Sequence, residues 1–140
     1  MEDLQCLLAT PALTISYDTT NHWLYNQWHG LHDAESVRVC AEHIFACLAT
    51  HPCQKMLSDH TLLLGSWRAA IPSVVQQNFA LLATHDVRYV AWVHSFEHDD
   101  LMSMERVVRH MAQPLVGLFD DVASAYDWLL YCPTSMPRIR

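Results

Sequence analysis

A chain of 140 residues suits one domain with one core, large enough to bury roughly two-thirds of the surface its unfolded form exposes. With 51% hydrophobic and only 16% charged residues, against roughly 25% charged in an average domain, it is excluded from the disordered class. A formal net charge of −7 with eight Lys and Arg spread thinly excludes nucleic acid as a partner, because phosphate-backbone binding needs a concentrated basic footprint.

From the N-terminus, Met1–Ala12 has neither the basic start nor the long apolar middle of a secretory signal and reads as a segment preceding the domain. Leu13–Asp18 and His22–His29 are rich in β-branched and aromatic residues and flank the turn-favouring Asp18-Thr19-Thr20-Asn21, which predicts an antiparallel hairpin ended by Gly30. From Asp33 to Thr50, Val37, Ala41, Ile44 and Leu48 recur at spacings of three and four, predicting an amphipathic helix with Asp33 as N-cap and Pro52 beyond its end. Lys55–Asp59 reads as a strand and His60–Ser66 as a loop. A helix then carries Trp67, Ile71, Val74, Asn78 and Leu81 along one side, with Ser66 as its cap and Pro72 as a kink or a start.

Val87–His94 is too continuously apolar to keep one face in water, which predicts a strand in the middle of the sheet covered by helices on both sides. Leu101, Met104, Val108 and Met111 mark a helix stopped by Pro114, and Leu115–Phe119 is a short last strand. Asp121 caps a final helix through Tyr131 that turns Val122, Ala125, Tyr126 and Leu129 inward, and 132–140 is a basic tail. Three strand-like segments followed by helix-like ones are the signature of βαβ units with parallel strands. The expected fold is therefore α/β: one domain over 13–131, with a mixed, mostly parallel five-stranded sheet, an N-terminal β-hairpin and about four helices.

Motifs spread over this frame resemble a known family. They are Leu24-Tyr25 with Trp28 and Gly30; Leu57 with Asp59, Thr61, Gly65 and Trp67; Tyr89 with Ala91-Trp92-Val93 and Ser95; Ser103 with Glu105-Arg106; and Phe119-Asp120-Asp121 with Ser124-Ala125 and Trp128-Leu129. Together they make the chain similar to small, mostly uncharacterised bacterial proteins with a STAS-like domain, the fold of anti-sigma-factor antagonists. The resemblance implies a mixed sheet with helices packed on it and a module that binds proteins or small ligands without catalysis. Antagonists switch through a phosphorylated Ser or Thr at a helix start within an Asp-Ser-type loop. This chain reads Ser58-Asp59-His60-Thr61 and Gly65-Ser66-Trp67 there, so the switch motif is not reproduced. Ser66 keeps a helix-entrance position where a phosphate would meet unpaired amides.

If the later strands are parallel, their carboxyl ends gather Asp59-His60, His94-Ser95 and Asp120 at the edge where open α/β sheets bind ligands. Asp59, His60, His94, Ser95 and Asp120 are thus the candidate ligand-binding residues. A hydrolase built from His94, Ser95 and Asp59 or Asp120 is disfavoured, because strand neighbours point to opposite faces and no Gly-x-Ser-x-Gly elbow is present. Metal is not expected: Cys40 and Cys47, which flank His43, stand about 10 Å apart along one helix, and His94, His98 and Asp99 lack a metal-site spacing. Met104 and Met111 sit at core spacing, Met102 beside them, and Asn78 interrupts an apolar face where, if buried, it needs a hydrogen-bond partner.

The function expected is a non-enzymatic, cofactor-free regulatory module that associates with another protein or with itself as a homodimer, a reading to which five tryptophans contribute. The alternative is a carrier or sensor of a small apolar or anionic ligand. No apolar run reaches the roughly 18 to 20 residues of a membrane span, and Cys6, Cys40, Cys47, Cys53 and Cys132 lack a disulfide spacing. Both point to the cytoplasm.

Overall fold

The turn Asp18–Asn21 shows how the sequence organises the sheet. Asp18 Oδ1 accepts from the amides of Thr20 (3.0 Å) and Asn21 (2.9 Å), while its Oδ2 takes the Asn21 side chain, so one carboxylate satisfies the turn that reverses the chain. The computed structural model describes residues 3–65, 71–94 and 98–134. Among them the strands are β1 (Leu4–Ala9), β2 (Leu13–Asp18), β3 (Trp23–Gly30), β4 (Lys55–Leu63), β5 (Tyr89–Val93) and β6 (Leu115–Phe119), in one sheet of spatial order β1-β2-β3-β4-β5-β6. The first three are antiparallel neighbours, and β3 to β6 run parallel.

The helices are α1 (Ala34–Thr50), α2 (Gln76–Thr84), α3 (His98–Arg109) and α4 (Val122–Tyr131), with a π-helical turn, Ile71–Val75, leading into α2. The predicted caps are in place: Asp33 and Ser36 form a reciprocal capping box on α1, and Asp121 Oδ1 accepts from the Ser124 amide at 2.7 Å on α4. Three crossovers of one hand that step the same way across a sheet fall on one face. Accordingly Val37, Ile44, Phe79 and Met104 of α1, α2 and α3 share a core with Leu24, Met56, Val90 and Val116. On the opposite face α4 covers Tyr25, Leu57, Ala91 and Val93 with Ala125 and Leu129. Strand alternation thus feeds two cores from one sheet.

The α/β expectation holds, with differences in detail. The sheet has a sixth strand, because Leu4–Ala9 pairs with β2 instead of preceding the domain. β4 runs four residues past Asp59, since His29 and Gly30 of β3 continue the ladder with Leu62 and Leu63; His60 therefore lies in a strand and not in a loop. Between Gln27 and His29 the register slips, opposing three steps of β4 to two of β3, a bulge that re-aims the side chains around His60 and Thr61. β5 is buried on both faces but lies next to the edge strand β6, so the middle of the sheet is β3 and β4. Along the π-helical turn and α2 the inward residues are Val75, Phe79 and Leu82, and Leu81 is 47% exposed; the wide π-helical turn rotates the face away from the Val74, Asn78, Leu81 register. Ser66, Trp67, Ser95 and the tail beyond residue 134 lie outside the described residues, as do the side chains of Ile71, Pro72, His98 and Asp99.

Candidate functional site

At the carboxyl ends of the parallel strands, neighbouring residues leave the backbone in opposite directions, and this divides the candidate ligands. Asp59 points toward the α4 face, where its Oδ2 accepts from Tyr25 Oη (2.8 Å) and its Oδ1 from the Thr61 amide (3.0 Å) and hydroxyl (2.7 Å). These donors hold the carboxylate as a structural knot across β3, β4 and the bulge. Burial first, and the Asp59 bond second, push the Tyr25 phenol far above its ordinary range, so it stays a neutral donor.

His60 points to the other face and is buried between two indoles, its ring centroid 3.7 Å from that of Trp92 and 5.5 Å from that of Trp28, both stacked. Ser58 Oγ accepts from Trp28 Nε1 at 3.2 Å and shares a hydrogen bond with His60 Nε2 at 2.7 Å. His32, anchored by the Ser36 hydroxyl and two backbone carbonyls, meets the edge of Trp28. Burial, with help from the nearby His32 and His94, holds His60 well below the usual imidazole range.

The Ser58–His60 distance is that of a nucleophile–base pair. Yet an imidazole whose pKa lies so low is a poor base at neutral pH, and the serine oxygen already accepts an indole proton. The cluster ties the carboxyl ends of β3, β4 and β5 together.

His94 and Asp120 are neighbours at the end of β5 and β6, where the His94 amide donates to the Phe119 carbonyl at 2.8 Å. The His94 imidazole is lowered by burial, opposed by Asp120 and Glu105. Asp120 itself is exposed. Asp59 and His60 lie back to back, and Ser95 and Ser66 fall outside the described residues, so His94 and Asp120 are the pair the strands place side by side. Among the described residues no three His, Cys, Asp or Glu side chains stand close enough to share one metal ion. The Cys53 thiol is pushed up to about 11 by burial, and those of Cys40 and Cys47 are raised by the same cause, the behaviour of inert packing cysteines.

Two further features lie away from the candidate edge residues. A cavity of about 40 Å³ lies between the sheet and α1 and α2, lined by residues including Trp28, Phe45, Ser58, Val75, Asn78 and Trp92. Asn78, singled out as an interruption of an apolar face, lies on its wall. A surface corner at the carboxyl ends of β3 and β4 presents Leu31, Leu62 and Leu64 at 77%, 53% and 62% exposure. The corner is one patch because β3 and β4 pair up to Gly30 and Leu63, the Leu64 amide donates to the Gly30 carbonyl, and Leu31 packs beside Gly65. The run Thr61-Leu62-Leu63-Leu64-Gly65 carries the only sequence signal for it.

This is the architecture of a STAS-like domain: a mixed sheet with three crossover helices on one face and a last helix on the other. The chain is similar in structure to an uncharacterized protein of the DUF3478 family with a SpoIIAA-like fold from Shewanella loihica PV-4, at a TM-score of 0.57 and 19% identity over 87% of this chain and 97% of that one. It is also similar to an anti-sigma factor antagonist from Mycobacterium paratuberculosis, at a TM-score of 0.55 and 13% identity over 89% of this chain and 99% of that one. No known family profile and no curated protein matches the sequence. Among the described residues no helix is long and apolar enough to cross a membrane.

Proposed function

We propose that the protein is a non-catalytic, cytoplasmic regulatory module that works by binding another protein through the corner formed by Leu31, Leu62 and Leu64. The observation that carries this reading is the exposure of three large apolar side chains on one patch, where solvation gains nothing and a partner surface would remove them from water. One structural neighbour is an anti-sigma factor antagonist, a description that implies action on a protein, which supports the choice of a protein as partner. The satisfied Asp59, the low-pKa His60 and the packing cysteines favour binding over catalysis, and free thiols suit the cytoplasm.

The test compares wild type with a Leu62→Asp/Leu64→Asp double variant, by light scattering and by affinity capture from cells of the source organism. Both substitutions fall on exposed positions and leave the fold intact. A chain bound by wild type and released by the variant is the expected result, and a change in the protein's own mass would identify that chain as a second copy. Identical captured sets with identical masses would contradict the proposal.

A further inference from the structure

The corner formed by Leu31, Leu62 and Leu64 lies at the carboxyl end of a sheet whose charges are sorted. Helices that follow the parallel strands start at that edge, and two of those starts carry carboxylate caps, Asp33 on α1 and Asp121 on α4. Asp33 is two residues from Leu31, Glu35 sits in the first turn beyond it, and Asp120 follows β6 beside His94. All four carboxylates are exposed. Among the described residues the cations lie elsewhere. Lys55 opens β4, Arg88 precedes β5, and Arg106 and Arg109 sit in the last turn of α3, which places them at the amino-terminal edge of the strands. Arg38 alone stands near the corner, and it is bound by both Glu35 and Glu42. Capping explains an acid at Asp33 and Asp121, where the helix dipole favours one. It does not explain Asp120, nor the withdrawal of cations from the edge. The Ser36 amide holds the Asp33 carboxyl below its usual range, Arg38 does the same for Glu35 and the Ser124 amide for Asp121, so the rim stays ionised at neutral pH.

We propose that the segment docking on this corner is a basic amphipathic stretch of a different protein. Its apolar side chains cover Leu31, Leu62 and Leu64, and the Lys or Arg residues flanking them face Asp33 and Glu35 on one side and Asp120 and Asp121 on the other. The inference rests on the corner being the binding surface and adds the chemistry of what binds there. Charge decides among the occupants that would take the leucines out of water. An anionic bilayer would meet carboxylates of its own sign. A second copy docked corner to corner about a twofold axis would set the same carboxylates against each other, in a chain of net charge −7. A basic segment instead turns the rim into a guide that steers the encounter and fixes its register.

The experiment titrates the methyl-labelled full chain, by NMR, with three synthetic peptides of one amphipathic leucine pattern whose remaining positions are all Lys, all Gln or all Glu. The Lys peptide is expected to shift the methyls of Leu31, Leu62 and Leu64 and to bind about tenfold more tightly than the Gln peptide, the sum of two or three exposed ion pairs, with the Glu peptide weaker than either. That preference is expected to vanish at about 1 M salt, where the screening length falls to about 3 Å. Asp33→Asn/Glu35→Gln/Asp120→Asn/Asp121→Asn, in which asparagine still caps both helices, is expected to lose the preference while the same methyls shift. Should that variant misfold, Glu35→Gln/Asp120→Asn, which leaves both caps in place, carries the comparison. Leu62→Ser/Leu64→Ser is expected to lose binding of all three peptides. Equal affinity for the Lys and Gln peptides at the corner, or a Lys preference that survives neutralisation of the rim, would overturn the basic partner and leave the corner's role standing. Unshifted corner methyls with every peptide, or undiminished binding by Leu62→Ser/Leu64→Ser, would remove the corner as a binding surface and this inference with it.

Discussion

Among single residues, His60 carries the most consequential environment. A ring stacked between Trp28 and Trp92 and bonded to Ser58 is kept neutral, whereas in the unfolded chain it titrates near about pH 6.5. Above that pH both states are neutral and the contribution to stability is complete. As the pH falls below it, the unfolded chain takes up a proton the folded one refuses, and stability drops by up to about 1.4 kcal/mol per pH unit until the depressed folded pKa is reached. His94, lowered in the same direction, adds to that slope and remains in any His60 variant. Urea denaturation of His60→Phe at several pH values should therefore show a shallower loss on acidification than wild type; equal slopes would refute the assignment. The histidine was named from sequence as a ligand, but its place between two indoles was hidden. The stack depends on Trp28, Ser58 and Trp92 meeting across three strands and on a bulge in β4, and neither can be read from local periodicity.

At the level of elements, the parts written as local pattern were legible: the hairpin, the caps at Asp33 and Asp121, and the parallel strands with their crossovers. Two boundaries moved because tertiary pairing or helix geometry overrode pattern, with β3 extending β4 through Leu63 and a π-helical turn rotating α2. The seat of α4 shows a further long-range constraint. A Cβ at Gly117 of β6 would stand 2.7 Å from Phe119 Cε2 and 3.3 Å from Trp128 Cε2, so the glycine makes room for α4 to press an indole onto the edge strand. Lys55 reinforces the seat by donating to the Leu129 carbonyl at the end of α4 and lying 5.8 Å over the Trp23 ring. Gly117→Ala is expected to destabilise by about 1–3 kcal/mol, as overpacking does, with a lower urea midpoint and an unchanged m-value. An unaltered midpoint would mean that α4 yields easily and is not held by this contact.

For the molecule as a whole, a two-core sheet closes both faces with helices and leaves the proposed binding corner at an end. Composition foretold the core, and the motifs foretold the STAS-like fold. The surface itself was less legible, because Leu31 and the Leu62–Leu64 run are distant in sequence and meet only when β3 and β4 lie side by side. The candidate edge was placed at the carboxyl ends of the strands, but alternation sends Asp59 and His60 to opposite faces, and apolar side chains dominate the exposed corner. Amide hydrogen exchange on the protein alone and with its captured partner tests the central claim most directly. The account predicts slowed exchange concentrated at Leu31 and at Leu62 to Gly65, and protection confined instead to β1, β6 or α4 would contradict it.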